Sequence, residues 1–355
     1  MRIFNSLLLA ATVVLAAPQS RCHPETAQIR REWRELKPQE RTDYIDALWC
    51  MRSRPSRLPR DQFPGARDRI DDFVITHINN TLVIHNNGLL LPWHRHFTWL
   101  WEQAIREECG YTGAQPYWDW PLYTHNNLPS SPLFDNSPTS LGGNGIYNAS
   151  VAEHPALCPA NLGGCLPPGA GGGCVTSGPF ANWTLHLGPF SRDFVKSYGP
   201  LPPDPWRYNP RCLNRNFRPE SLEILNTQQR VDMLLGAPDM DAFMAVMDPS
   251  NATLIGSHGG GHTTVGGAML DVFASPHDPA FFLHHGMVDR MWTLWQERDF
   301  AARWDALNGT AVIYNPPDAP LVTLDTLMDF GVLDRQRRIG EVVDTRSGKY
   351  CYAYT

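Results

Sequence analysis

Histidine is the residue type with the most chemistry to offer in this chain, because of how its copies are spaced. His77, His85, His94 and His96 fall within 20 residues, and His258, His262, His277, His284 and His285 within 28, so nine of the 13 histidines sit in two clusters. A single histidine on an apolar face is ordinarily a satisfied core residue, whereas two clusters are a reason to look for shared ligation. His258 and His262 are four apart, the spacing by which two imidazoles on one helix hold one ion. Gly259, Gly260 and Gly261 lie between them, each costing about 1 kcal/mol of helix propensity, so surrounding packing must hold that turn helical. His77 shares a helical face with Phe73, His94 with Phe97 and Trp101, and His285 with Phe281 and Asp289, which turns these imidazoles inward. His85 is followed by Asn86, Asn87 and Gly88 and reaches in from a loop. Three imidazoles per cluster, without a Glu-x-x-His pair, argue against a carboxylate-bridged di-iron bundle. Imidazole-only ligation suits copper or zinc, and two like clusters point to two like ions.

Helices must carry these side chains. Residues Glu25 to Met51 read as helical in two segments broken at Pro38, and Arg67 to about Asn80 carries Ile70, Phe73, Val74 and Ile78 at helical spacing. A third helix is expected from Pro92, burying Trp93, Phe97, Leu100, Trp101 and Ala104. A fourth is expected with Asp278 as N-cap and Pro279 at its first position, burying Phe281, Val288, Trp292 and Trp295; being apolar nearly all round, it is central. The stretch from 121 to 210 is rich in proline and glycine and reads as irregular chain pinned around the helical core by disulfides, with Phe134, Trp183, Phe190 and Trp206 as its anchors.

Composition bounds the rest. The 355 residues carry 30 Lys+Arg against 36 Asp+Glu, a net charge of −6 that gives no footprint for nucleic acid. Hydrophobic residues make up 42% and charged ones 19%, against a usual charged share of roughly 25%, so the chain can bury a large core. Arg2, then an apolar run from Leu7 to Ala17 closed by Pro18, has the layout of a secretory signal peptide, expected over 1–20, with a single catalytic domain over 21–355. That run is too short for a bilayer core of about 30 Å, so no membrane partner is expected. All eight cysteines follow the expected cleavage point and allow up to four disulfides in an exported, extracellular protein, with the pairing open. Asn79, Asn148, Asn182, Asn251 and Asn308 begin sequons for N-glycans.

At motif level the chain resembles the tyrosinases and catechol oxidases. His85, then nine residues on His94-Arg95 with Pro92-Trp93 before and Glu102 after, resembles their first copper-binding motif; Asp278-Pro279-Ala280-Phe281-Phe282-Leu283-His284-His285, with Asp289 four residues on, resembles the second. Pro116-Tyr117-Trp118-Asp119-Trp120 and Tyr350-Cys351-Tyr352 are similar to further family segments, the latter to the motif that closes the catalytic domain. The resemblance runs over roughly 70 to 300 and touches the C-terminus. It implies a mainly α fold, a central four-helix bundle holding a dicopper site and wrapped by long disulfide-stapled loops. It also implies two copper ions, one on His77, His85 and His94 and one on His258, His262 and His285, with dioxygen and a small phenol as partners. Two ions fit the electron count, since reducing dioxygen to peroxide takes one electron from each Cu(I). Phe281 matches the family position that overhangs the substrate.

The departures from the family pattern narrow the expected activity. Where many members carry Asn after the first histidine of the second site, this chain has Gly259, and no Glu stands among residues 245–257, only Asp248. Oxidation of o-diphenols, with o-aminophenols as related substrates, is therefore expected over monophenol hydroxylation. Val83 stands where some relatives have a cysteine joined to the second histidine. His277 and His284 are candidates for orienting the ligands, Arg95 and Asp289 for a buried ion pair between the two halves; His96 and His125 read as structural, and His23, His154 and His186 give no signal. The other readings are a haemocyanin-like dioxygen carrier, disfavoured because the chain ends at the tyrosine motif without a shielding domain, a full tyrosinase, and a zinc hydrolase. A monomer or weak oligomer is expected.

Overall fold

The computed structural model describes residues 22–23, 25–123, 128–152, 157–191, 200–347 and 349–355. The expected signal peptide, His125 and His154 lie outside the described residues. In chain order the helices are α1 (Pro38–Ser53), α2 (Arg69–Ile84), α3 (Leu90–Cys109), α4 (Ala149–Ala152), α5 (Glu220–Leu225), α6 (Gln228–Gly236), α7 (Met240–Met247), α8 (Ser257–Val265), α9 (Ala280–Glu297) and α10 (Phe300–Arg303). Helices α2, α3, α8 and α9 form the four-helix bundle, with α3 packed along α9. Among the described residues no helix is long and apolar enough to cross a membrane.

Local chemistry accounts for the helix starts. Asp68 caps α2, accepting from the backbone N–H groups of Ile70 and Asp71, while Asp71 returns a carboxylate to the N–H of Asp68. Asp278 accepts from the N–H of Ala280 at 2.9 Å and so does the capping expected of it. Pro92 proves to be the third residue of α3 rather than the first. Beyond Cys109, Gly110 takes the left-handed conformation, φ 72°, that stops α3.

One helical expectation fails. Residues before Pro38 are not a helix: Gln28–Arg30 is a strand, β1, and Trp33–Glu35 a single 3-10 turn, so Pro38 begins α1 rather than breaking a longer helix. The remaining strands are β2 (Thr184–Leu185), β3 (Arg211–Cys212), β4 (Leu327–Met328), β5 (Arg337–Arg338) and β6 (Tyr352–Tyr354). Strand β1 pairs in parallel with β6, from Gln28 opposite Tyr352 to Arg30 opposite Tyr354, and the Cys22–Cys351 disulfide adjoins that pair. Pairing partners more than three hundred residues apart leave no local pattern from which the strand could be read.

All eight cysteines are bonded. Cys50–Cys109 ties the end of α1 to the end of α3, while Cys158–Cys165 and Cys174–Cys212 staple the proline- and glycine-rich stretch. Phe134 and Trp183 from that stretch are buried and Phe190 and Trp206 pack partly buried against the core, as expected of pinned rather than free chain.

The closing strands deliver charge to the core. Asp289 on α9 accepts from Arg95 Nε at 2.5 Å, Arg30 Nη1 at 3.2 Å, and the hydroxyls of Tyr352 and Tyr354 at 2.7 and 2.6 Å. Burial alone would raise the Asp289 pKa, but the guanidiniums of Arg95 and Arg30 outweigh it and hold the carboxyl below its ordinary range. Arg95 also stacks on Trp292 at 3.7 Å and donates to Gln296, Thr293 and the Val343 carbonyl. The expected Arg95–Asp289 pair is thus present and buried, and it joins α3 to α9. Removing Asp289 leaves the buried Arg95 guanidinium without its counter-charge, while Arg30 keeps Glu102. Asp289→Ala is expected to lower the stability of the metal-free protein by about 3–5 kcal/mol in denaturant unfolding; a loss below about 1 kcal/mol would contradict this account.

Candidate metal centre

Four of the imidazoles are held by Nδ1 on a backbone carbonyl. His77 Nδ1 bonds the Phe273 carbonyl at 2.8 Å, His85 the Thr81 carbonyl at 2.9 Å, His94 the Leu90 carbonyl at 2.8 Å, and His262 the Met269 carbonyl at 2.7 Å. A carbonyl only accepts, so each of these nitrogens carries the ring proton and leaves a lone pair on Nε2. His85 and His94 are anchored four residues back, so the turn that carries each ring also fixes its tautomer. His85 itself is the first residue past α2, with extended backbone, in agreement with its expected place outside the helix.

The free nitrogens converge. Ligating atoms of His77, His85 and His94 lie within 4.8 Å of one another, as do those of His258, His262, His284 and His285. Among the described residues, Nε2 of His77 and of His94 is buried with no hydrogen-bond partner, and so are both nitrogens of His285. The two triads abut: the His94 and His285 rings stack with centroids 4.3 Å apart, and His85 lies parallel to His258 at 6.0 Å. Such orphaned atoms are costly unless something binds them. Burial first, and neighbouring imidazoles second, push the pKa of His77, His94, His262 and His285 well below the ordinary value and that of His85 down to about 4. Neutral imidazole is the form that binds a metal ion.

The adjacent histidines on α9 are distinguished by their partners. His284 Nδ1 accepts from Trp120 Nε1 at 3.1 Å, which leaves its ring proton on Nε2 and takes that nitrogen out of ligation. Its ring packs on His262 and His258 at 4.6 and 5.6 Å, so it supports the second triad. His285 has no such partner and fits a ligand position.

The glycines between His258 and His262 have a steric reason. Helix α8 forms as expected, and a Cβ at Gly260 would lie 2.4 Å from Asn226 Oδ1, while one at Gly261 would lie 2.2 Å from His284 Cε1. Close approach of α5 and α9 therefore excludes side chains there, and the packing offsets the poor helix propensity.

Two expectations are corrected. His277 does not reach the centre: its Nε2 faces Asp71 Oδ1 at 3.4 Å, and Asp71 also bonds His186 Nδ1 at 2.7 Å. Phe281 is wholly buried, its ring 4.2 Å from His285, 5.4 Å from His77 and 5.9 Å from His262, so it is the wall between the triads rather than part of the open cleft. His96 is structural, held between the Tyr350 hydroxyl and Asp334. A third grouping, Asp68, Asp71 and His186, also brings ligand atoms within 4.8 Å, but its carboxylates are engaged in capping α2.

A cleft of about 520 Å³ opens onto the second triad, lined by His85, His258, Gly259 and His262 together with Asp248, Leu254, Ile255 and Val272 among others. Gly259, expected at the substrate position, does line it.

Comparison with known proteins closes the identification. The common central domain of tyrosinase matches residues 67–298, an interval containing both triads. The chain belongs to the tyrosinase family. It is 46% identical over the full length of both chains to the N-acetyl-6-hydroxytryptophan oxidase of Emericella nidulans, and 47% identical to tyrosinase P of Aspergillus terreus over 99% of each. A solved polyphenol oxidase from Thermothelomyces thermophila, a glycine-to-asparagine variant, superposes with a TM-score of 0.84 at 40% identity, covering 94% of this chain and 90% of that one. The cofactor of this tyrosinase-family oxidoreductase is a pair of copper ions, and the two sets of buried, neutral imidazoles suit it.

Gly261→Ala is expected to destabilise the protein by about 1–3 kcal/mol and to weaken copper retention, because the added methyl must displace His284. Gly164→Ala, with nothing within 4 Å, serves as the neutral control. Equal unfolding midpoints for the two variants would refute the close-packing argument.

Proposed function

We propose that this oxidoreductase converts o-diphenols, and related o-aminophenols, to o-quinones while dioxygen is reduced to water, with weak or absent monophenol hydroxylation. His77, His85 and His94 hold one copper ion in this reading and His258, His262 and His285 the other. The copper pair supplies the electron relay, taking two electrons from each diphenol and passing them to dioxygen. Two diphenols balance one dioxygen, and their four hydroxyl protons leave as two waters.

The observation that carries the diphenol preference is the chemistry of the cleft wall. A monophenol must lose its proton to a base before it is attacked, whereas a diphenol brings two readily oxidised hydroxyls. Among the described residues Asp248 is the sole carboxylate lining the cleft, and both its oxygens are engaged, one by His258 Nδ1 and the other by the backbone N–H of Asn86. Gly259 offers no polar group beside His258 to hold a water for that purpose. The apolar side chains Leu254, Ile255 and Val272 provide a surface for an aromatic ring, and Phe281 together with the packed imidazoles keeps water from the interior side of the centre.

Copper-loaded protein is expected to consume oxygen with 4-tert-butylcatechol about tenfold or more faster than with tyrosine. Comparable rates would overturn the diphenol preference, and reversible oxygenation without quinone would favour a dioxygen carrier. His94→Ala and His285→Ala should each lose one copper and the oxidase activity while keeping the fold; activity retained in either would overturn the ligand set. Gly259→Asn should raise the monophenol rate relative to the diphenol rate, Ile255 turning aside because its Cγ1 lies 2.9 Å from the new Cβ. An unchanged ratio would show that this position does not set the preference.

A second reading has its own support. The cleft is roomy for a single ring, and the full-length relative at 46% identity is named for a hydroxyindole substrate. Including 5- and 6-hydroxyindoles in the same oxygen-uptake panel separates the two, since a hydroxyindole turned over faster than any catechol would displace the first reading.

A further inference from the structure

Of the six imidazoles in the two triads, His258 alone is anchored by a charge. Four others direct Nδ1 to backbone carbonyls, and His285 Nδ1 has no partner among the described residues. His258 Nδ1 instead faces Asp248 Oδ1 at 3.0 Å. Asp248 is buried, at 6% exposure, and among the described residues its one ion-pair partner is His258. Its second oxygen accepts from the backbone N–H of Asn86 at 2.8 Å. Asn86 follows His85 directly and sits at φ 52°, a left-handed conformation that needs holding. A single carboxylate at the end of α7 therefore ties the loop of the first triad to the leading histidine of the second. A buried carboxylate that faces one imidazole and one backbone N–H, with no guanidinium or ammonium partner among the described residues, is poorly compensated, and a dication on the far nitrogen of that ring would supply what is missing.

We propose that Asp248 is a positioning residue for the second copper ion: it fixes the His258 tautomer and raises its basicity, so that retention of that ion, more than of the first, depends on one negative charge. The proposal rests on the ligand assignment given above. It goes beyond that assignment in making the two ions unequal.

The test uses full-length protein loaded with copper and dialysed against graded chelator, with copper per chain and the EPR signal of isolated Cu(II) as readouts. Asp248→Asn keeps an acceptor for Nδ1 but loses the charge and the acceptor for the Asn86 N–H. It is expected to release one of its two ions at a chelator concentration about tenfold or more below that needed by the parent, with an isolated Cu(II) signal growing in as pairing is lost. Asp248→Glu, which keeps the charge, should recover part of the difference. An unchanged chelator titration, loss of both ions in step, or no recovery in Asp248→Glu overturns the proposal. A parent chain that takes up no copper overturns the ligand assignment, and the proposal with it.

Discussion

Six imidazoles must be kept uncharged, close together and aimed at one another in a buried interior. Six cations there would repel, and six randomly oriented rings would hold nothing. The chain meets the constraint with hydrogen bonds that give most Nδ1 atoms a partner of fixed character, so the orphaned Nε2 lone pairs are left facing inward. Burial then reinforces the same protonation state, since desolvation favours neutral imidazole. What is unfavourable about burying these unpaired nitrogens is what makes them good ligands for metal ions.

Two devices keep the halves of the centre in register. One is the Asp289 hub, in which two arginines and two tyrosines from β1, α3 and β6 converge on a single carboxylate of α9. The other is close approach at α8, where glycines let α5 and α9 come near enough for the second triad to close. Neither touches a reacting atom, yet each sets a distance on which ligation depends. The irregular stretch between α3 and α5 contributes anchored aromatics and disulfides to this scaffold.

Much of this was readable in advance because it is local. Helical spacing placed His77, His94 and His285 on buried faces, and the turn residues after His85 placed that side chain outside its helix. The glycine-rich turn between His258 and His262 looked like a conflict, and its resolution lay in neighbours that sequence does not reveal. The failures have a common cause in long-range pairing. Arg30 was hidden because β1 is defined by residues at the other end of the chain. His277 looked like a partner of the centre and belongs to Asp71, more than two hundred residues away. The carboxylate of Asp248 was noted as the one acid before α8, but its bond to His258 depends on how α7 ends. Phe281 was placed correctly on the face of His285 yet proved too deep to border the cleft.

Anomalous diffraction at the copper edge from copper-loaded crystals tests the central claim most directly. The account predicts two copper peaks per chain, one within His77, His85 and His94 and the other within His258, His262 and His285, with His284 turned toward Trp120. A single peak, or copper held by Asp68, Asp71 and His186 while the imidazole triads stay empty, would contradict it.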